Sequence, residues 1–481
     1  MSHTLMEPSM TAGSPSVASS ARRLLKPFVA LDLKRTSSAI AWFSLLIGSV
    51  VGVTPADATD DPGVGRPVHA RASATRDELY AAVRAYAANA GIPAFARKYG
   101  MKCTACHLAV PLLNSYGQAF RDNGYRMKNG TDDLRANEPA YWPLFAWLWK
   151  DYQLDVDRVA GQTVQRRGAF ADGAFVFGGM GSISDKVSFR VFPVIYEDGL
   201  TFAGHGWIRY NQAFGTDWVN IKVGQSEFDV PINPGREYNM GNARFAVLYA
   251  YTVPGSVSAF NVLFPQPGVE IMGHDRGSRN RYMVNVFNAD RAPRAHCTFC
   301  APGVFGRVTH RHDLASGFVR RVQVGAFGAY STWPVGPDTS DLKGQRRLGG
   351  DVELWLGSDV LPLRVTVMGM TGRDDRALVP TATQAPTFDA GMLQLEYVPQ
   401  LPLVFYGRLQ VIRNQRQAIA GRPDDFGDQD FQLVGVRHAL DLNSRFSWWL
   451  ELTYWRQKVK EVAPGADATH QQLWIGSHLL F

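Results

Sequence analysis

The stretch that closes the sequence reads Leu473-Trp474-Ile475-Gly476-Ser477-His478-Leu479-Leu480-Phe481. Three apolar residues, Leu473, Ile475 and Leu479, occupy alternate positions, and Phe481 falls on the same face. Successive side chains of a β-strand point to opposite sides of the sheet. The spacing therefore predicts a strand with one continuous apolar face.

The same alternation runs through most of residues 141–481, where helical periodicity is lacking and Gly, Pro, Asn and Asp clusters separate short segments. The segment Asp351-Val352-Glu353-Leu354-Trp355-Leu356 places one valine and two leucines on one face, and Asp, Glu and Trp on the other. Residues 363–368, 393–397 and 448–455 follow the same pattern. Charged groups at every second position suit a closed sheet with lipid outside and water inside.

We therefore predict a mainly β fold: a transmembrane antiparallel β-barrel of about 16 strands over residues 141–481, preceded by a small α-helical segment. A strand that alternates and ends on an aromatic residue resembles the signal read by the outer-membrane insertion machinery. A soluble β-sandwich ending in Phe481 is the alternative. The tryptophans near segment ends are predicted to form interfacial girdles: Trp142, Trp147, Trp207, Trp218, Trp448, Trp455 and Trp474.

The first 58 residues have the composition of a targeting segment. Positive residues precede an uncharged, mostly apolar run at 39–53, and Ala56-Asp57-Ala58 supplies a small-x-small cleavage site. We expect a signal peptide over 1–58 and a linker over 59–75, which predicts an exported bacterial protein located in the outer membrane. A single N-terminal anchor is the alternative, although the apolar run is shorter than the roughly 20 residues a spanning helix needs.

The overall charge argues against one class of partner. The chain has 50 Lys and Arg residues against 43 Asp and Glu, a formal net charge of +7. These charges are spread along the chain without a basic run, so a nucleic-acid partner is not predicted. Lumen-facing charge is predicted instead, at Arg209, Lys222, Glu353, Arg364 and Glu396.

Residues 76–140 contain one C-x-x-C-H motif, Cys103-Thr104-Ala105-Cys106-His107. Thiols at this spacing can form thioether bonds to the two vinyl groups of one porphyrin, and the adjacent His107 can ligate the iron. We predict a monohaem c-type cytochrome segment here, with haem c as the cofactor. A disulfide or a zinc site is the alternative. Short helices are expected at 76–90 and after Pro111, the second ending at Asn123-Gly124.

The sequence does not decide which residue is the second axial ligand of the iron. Met127 lies twenty residues after His107 and is the first candidate for a distal ligand, since a thioether would raise the reduction potential. A gap-filling methionine is the alternative. Histidines that face the lumen are further candidates: His205, His274 and His478. An iron with no sixth ligand is another possibility, and it would suit ligand binding or peroxidase-like chemistry.

A second cysteine pair, Cys297 and Cys300, lies in a loop of the predicted barrel. With His310 and His312 downstream, its residue types would suit zinc or iron. A loop-stiffening disulfide in an oxidising compartment is preferred. No histidine follows Cys300 directly, so a second c-type haem is not predicted.

The chain resembles the outer-membrane cytochrome–porin fusions, in which a short monohaem segment precedes a porin-like barrel. The resemblance is specific over Pro93-Ala94-Phe95-Ala96-Arg97-Lys98-Tyr99-Gly100, over the C-x-x-C-H motif, and over residues 113–125. It is looser in the barrel at 267–271 and 282–288, and covers roughly residues 93–481. The extension before Pro93 and the pair Cys297 and Cys300 depart from the family pattern.

The resemblance implies an outer-membrane electron conduit. Electrons would pass between an extracellular donor or acceptor, with ferrous iron oxidation as one case, and periplasmic carriers such as cytochromes. The alternative is a substrate-selective porin in which haem is structural or senses redox state. A soluble periplasmic haem enzyme is a third hypothesis.

Overall fold

The computed structural model describes residues 94–109, 112–127, 143–191, 194–196, 199–201, 206–231, 247–263, 265–289, 301–335, 341–358, 362–414, 426–441 and 447–480. Several predictions from the sequence fall outside these ranges. They are the signal peptide over 1–58, the linker over 59–75, the helix over 76–90, and residues His205, Cys297, Cys300 and Phe481.

The N-terminal described segment is short and partly helical. Helix α1 spans Ala94–Tyr99, a 3-10 turn spans Cys103–Ala105, and helix α2 spans Ser115–Asp122. Two short strands, β1 (His107–Ala109) and β2 (Leu112–Leu113), pair between the turn and α2. No helix among the described residues is long and apolar enough to span a membrane.

The rest of the chain is a closed antiparallel barrel. Strands β5 and β6 share one position in the barrel wall, because both pair with β4. Strands β7 and β8 share the next position, because they pair with β6 and β5. The described strands therefore occupy sixteen positions around the barrel, here called staves. The predicted barrel and its strand number are therefore confirmed. The strands are β3 Leu144–Val159, β4 Gln162–Ser182, β5 Val187–Val191, β6 Val194–Tyr196, β7 Gly199–Thr201, β8 Gly206–Tyr210, β9 Asn220–Ser226, β10 Gln266–His274, β11 Asn280–Asn288, β12 Pro302–Asp313, β13 Val319–Pro334, β14 Leu342–Gly357, β15 Pro362–Asp374, β16 Thr387–Gln400, β17 Leu403–Asn414, β18 Gln429–Asp441, β19 Ser447–Ala463 and β20 Ala466–Leu480.

Side chains on the strands alternate between an apolar outer face and a polar inner face. On β14, Val352 is 38% exposed on the outside, whereas Asp351 and Glu353 are buried inside. On β19, Leu450 is 43% exposed and Glu451 only 2%. This is the inverse of a soluble protein, which hides apolar groups and exposes charged ones. The predicted lumen-facing charges are all buried on the inner side: Arg209, Lys222, Glu353, Arg364 and Glu396.

The tryptophan girdles are only partly as predicted. Trp218 and Trp448 are exposed, at 43% and 42%. Trp207, Trp455 and Trp474 are buried, because each occupies an inward position in the period-two pattern, next to an outward apolar neighbour. Their assignment to a girdle was wrong, and so was that of Trp147, which packs with the inward-facing Trp449. Trp142 lies outside the described residues.

The two ends of the barrel differ in their connections. At one end, here called the turn end, the connections are short: for example 183–186, 358–361 and 401–402. At the other, the loop end, several are long, and residues 227–265 form the longest. The described parts of that long connection fold into the lumen, where Tyr249 and Phe260 are fully buried among inward-facing wall residues.

Candidate functional site

The segment that carries the C-x-x-C-H motif lies inside the barrel, near the turn end. Arg321 at the start of β13 donates a hydrogen bond from Nη2 to Ser115 Oγ at 2.8 Å. Arg209 near the end of β8 donates from Nη2 to the carbonyl of Asp122 at 2.6 Å. The segment is therefore tied to strands on well-separated parts of the wall.

Apolar contacts reinforce this attachment. Leu108 and Leu112 are buried and pack in one cluster with inward-facing wall residues. Phe95 of α1 stacks on Tyr125 at 5.2 Å, and Tyr125 stacks in turn on Trp207 of β8 at 6.2 Å. The segment, residues 94–127, thus fills lumen space as a plug rather than standing beside the barrel. The wall side chains around Leu108 and Leu112 include Trp355, Val398, Tyr406, Leu433 and Trp455.

The motif is joined closely to the helix that follows it. Asn114 caps α2 by accepting from the backbone N–H of Gly117 at 2.9 Å, and its side-chain nitrogen donates to the Ala105 carbonyl at 3.0 Å. The backbone N–H of Asn114 also donates to the Cys106 carbonyl at 2.9 Å. A Cβ at Gly117 would lie 2.3 Å from that same carbonyl oxygen. Glycine at this position is what allows α2 to approach the motif.

Cys103 and Cys106 are not joined in a disulfide in this structure. Cys103 Sγ lies 3.4 Å from Ser447 Oγ, and Cys103 packs against the cluster of Ala439 and Trp449 on the barrel wall. Burial, together with the neighbouring Cys103, raises the pKa of the Cys106 thiol to about 12. Zinc and covalent haem would use these thiols differently, since zinc binds cysteines directly as thiolates.

The side chains near the motif also distinguish covalent haem from a zinc site. Among the residues that the structure describes, no three Cys, His, Asp or Glu side chains converge as a directly bound metal ion would require. A c-type haem places different demands, because its cysteines bond the porphyrin rim while only the histidine reaches the iron. The donor set at the motif therefore fits covalent haem better than it fits zinc. Cys103 and Cys106 would carry the thioethers, and His107 would be the proximal ligand.

The candidates for the second axial ligand occupy different environments. Tyr116 donates from its hydroxyl to Met127 Sδ at 2.9 Å, so the first candidate already has a polar partner. His274 lies at the end of β10, with Nε2 3.0 Å from the Asp122 carbonyl and Nδ1 2.8 Å from the Asp275 carbonyl. His478 is buried on the inner face of β20, among tryptophans.

Asp122 is a functional residue that sequence reasoning missed. It is buried at the C-terminal end of α2 and pairs with Arg121 at 3.0 Å and Arg281 at 3.2 Å. Burial alone would raise the pKa of Asp122, but these guanidinium groups outweigh it and hold the pKa well below its usual range. An acidic residue there is unfavourable for the helix dipole. That local conflict was the available signal that Asp122 has tertiary partners.

A small cavity of about 30 Å³ opens beside this aspartate. Basic side chains dominate its lining, and Lys222 there pairs with Glu270 at 2.7 Å. Its lining residues come both from the plug and from the barrel wall. It is lined by Arg121, Asp122, Tyr125, Arg190, Trp207, Arg209, Lys222, Glu227 and Met272.

Solved structures with a similar fold are outer-membrane barrels. OmpT of Vibrio cholerae, in a form lacking loop L8, is 10% identical with a TM-score of 0.41, covering 70% of this chain and 100% of that one. An anion-selective porin from Comamonas acidovorans is 12% identical with a TM-score of 0.43, covering 70% and 100%. OprB of Pseudomonas putida is 8% identical with a TM-score of 0.45, covering 70% and 93%.

This likeness concerns the fold alone. The sequence matches no protein-family model and no curated protein. The barrel is established by the strand pairing of the chain itself, which closes without a free edge.

Proposed function

We propose that this protein is a bacterial outer-membrane electron carrier, in which a barrel encloses one covalently bound c-type haem. The observation that carries the proposal is the position of the C-x-x-C-H motif, inside the lumen and joined to the wall by Arg321, Arg209 and apolar packing. An insulating wall around a redox group is what passage of electrons across a membrane requires. The thiols of Cys103 and Cys106, which no disulfide joins, would supply the attachment chemistry.

The membrane location is inferred from the outer face of the barrel. Exposed valine, leucine and isoleucine side chains cover it, and such a surface would be costly in water. Short turns face the periplasm and longer loops face outward in barrels of this kind. By that rule the turn end, and with it the motif, faces the periplasm. A periplasmic electron carrier would therefore meet the protein at the turn end.

The residues of the chain have separate tasks in this proposal. Cys103 and Cys106 would hold the group and His107 would ligate it, and Asn114 fixes the turn of the motif through the Ala105 carbonyl. When bound, a c-type haem supplies reversible one-electron chemistry at its iron. Trp449, in the cluster against which Cys103 packs, would help to exclude water from the group, and burial of that kind tunes a haem potential. The extracellular partner would be a one-electron donor such as ferrous iron, or an acceptor.

The test is a spectrum of the protein purified from outer membranes. Covalent haem would survive acidified-acetone extraction and give reduced absorption bands with dithionite. Ferrous iron is then added to protein reconstituted in liposomes, and reduction of the haem is the expected result. Cys103→Ala with Cys106→Ala should abolish covalent haem while the barrel still assembles. Wild-type barrels free of covalent haem would refute the proposal.

A second candidate is a substrate-selective porin in which haem is structural or senses redox state. The charged cavity beside Asp122 favours it, since Arg190 and Lys222 offer positive groups to an anion. Against it, two inserts, residues 94–127 and the described part of 227–265, occupy the lumen. Planar-bilayer conductance separates the two functions, because a porin gives open-channel steps and a plugged conduit gives none.

A further inference from the structure

The small cavity beside Asp122 lies between the plug and the barrel wall. Arg121, Asp122 and Tyr125 line it from the plug, and residues of β5, β8, β9 and β10 line it from the wall. Its volume is about 30 Å³, whereas one water needs roughly 10–15 Å³. The cavity can therefore hold one or two waters or a single monatomic ion, and it is too small for an organic solute.

The charged groups around this cavity are almost all paired. Four of the described lining residues are basic, and three of these pair with a carboxylate: Arg121 with Asp122 at 3.0 Å, Arg190 with Glu227 at 3.5 Å, and Lys222 with Glu270 at 2.7 Å. The fourth is Arg209. Its Nη2 donates to a backbone carbonyl, that of Asp122, at 2.6 Å. A carbonyl oxygen satisfies the donor but does not neutralise the charge.

Arg209 is a buried cation that lacks a counter-ion within the described ranges. Its side chain belongs to a residue that is only 3% exposed, and its Nε is buried with no hydrogen-bond partner there. Asp122 and Glu270 attract it only from beyond ion-pair distance, and each already has its own basic partner. Arg126 adds a second guanidinium that repels it. A buried charge without a partner is strongly destabilising, so this one requires a negative group.

The charge of the lining distinguishes an anion from water. Its four basic and two acidic described side chains give a net charge of +2. A water would accept from Arg209 Nε but would leave that charge in place. A small monovalent anion would accept the same hydrogen bond and would also lower the positive charge of the cavity. Chloride meets the size limit, because it is only slightly larger than water.

We propose that the cavity is a binding site for one monatomic monovalent anion, chloride in the first instance, held against Arg209 between the plug and the wall. The anion would lie between basic residues of both parts, Arg121 on α2 and Arg209 on β8, so it would strengthen the attachment of the plug. That attachment would then depend on the halide concentration. The inference does not rest on the proposed function, because it uses none of the residues Cys103, Cys106 and His107.

The first test locates the ion with bromide, which replaces chloride and scatters X-rays anomalously. Crystals of the whole protein grown in sodium bromide are expected to show an anomalous peak in the cavity, in contact with Arg209 Nε. Bromide found only at exposed sites would overturn the inference, because the cavity would then hold water.

The second test measures hydrogen exchange of the α2 amides in sodium chloride and in sodium gluconate at equal ionic strength. Gluconate is too large for the cavity and controls for general screening. An ion that binds only the attached plug stabilises the attached form, so at ten times its Kd chloride should raise α2 protection about tenfold. Equal protection in the two salts would overturn the inference.

Arg209→Gln is expected to abolish both the bromide peak and the chloride dependence. Its lost bond to Asp122 will lower the basal protection as well, so the chloride dependence is the readout. Arg279→Gln is the matched control, because it removes an exposed arginine at the same end of the barrel, and it should keep both signals. A bromide peak that persists in Arg209→Gln would overturn the assignment of Arg209.

The two wild-type measurements decide if Arg209→Gln fails to assemble, as judged by heat-modified gel mobility. They also separate this inference from the proposed function. Protein without covalent haem that still binds bromide in the cavity would refute the electron carrier and support the anion site. Covalent haem in a protein whose cavity excludes bromide would do the reverse.

Discussion

The attachment of the plug to the barrel depends on Asp122, and its removal gives a quantitative test. Asp122 is 2% exposed, pairs with Arg281 and Arg121, and accepts through its carbonyl from Arg209. Asp122→Asn keeps the size of the side chain and removes its charge. Breaking a buried ion pair costs about 3–5 kcal/mol, and the lower figure applies because Arg281 keeps its contact with Asp229.

A loss of about 3 kcal/mol corresponds to a roughly 100-fold larger population with α2 detached from the wall. Hydrogen exchange measured by mass spectrometry reports this population directly, as the protection of the α2 amides. We expect α2 protection to fall about 100-fold by this argument, with the amides of β14–β20 unchanged. Asp341→Asn, which removes a half-exposed partner of Lys343, is the control and should change little. Unchanged α2 protection in Asp122→Asn would refute the conclusion that the ion pairs of Asp122 attach α2 to the wall.

Three further predictions follow from the same geometry. Gly117→Ala should place a methyl group against the Cys106 carbonyl, cost about 1–3 kcal/mol by overpacking, and reduce the covalent haem absorbance per barrel. Ile475→Lys, on the outer face near the middle of β20, should lower the unfolding free energy in lipid vesicles by about 2–4 kcal/mol. Val164→Lys, near the loop end, should lower it by only about 0–1 kcal/mol. Equal losses in the two variants would argue against a lipid-facing band. Because the folded-state pKa of Asp122 is depressed, its contribution is complete above the unfolded pKa of about 4 and is lost only as the pH falls through the much lower folded value. Protection of α2 should therefore be the same at pH 7 and about pH 4.5, and a decline between them would show that another group controls the attachment.

Local pattern was a sound guide to the elements of this fold. The helix expected after Pro111 is α2, and it ends at Asp122, directly before the predicted stop at Asn123 and Gly124, whose φ is 75°. Leu112, expected in that helix, lies in β2 instead, because Asn114 caps the helix two residues later. The inner and outer faces of the strands were also predictable, since parity along a strand follows from its backbone geometry.

Contacts between distant parts of the chain were not predictable. Parity places Trp455 on the inward face, but its packing in one cluster with Leu108 and Leu112 depends on insertion of the plug. Cys103 meets Ser447, 344 positions away, through closure of the barrel and insertion of the segment together. Neither closure of the barrel nor insertion of the segment produces a periodic pattern in the sequence around Cys103 or Ser447.

The sequence by itself determined the alternation of polar and apolar faces, the number of staves to within its uncertainty, and the thiol and imidazole chemistry at Cys103, Cys106 and His107. These depend on strand geometry and on residue types at fixed short spacings, which any stretch of chain carries with it. The tertiary structure alone decided that residues 94–127 lie inside the barrel, that Asp122 is clamped by Arg281, and that His478 faces the lumen among tryptophans. Those results depend on how the sheet closes and on what fills it, and closure is a property of all sixteen staves at once.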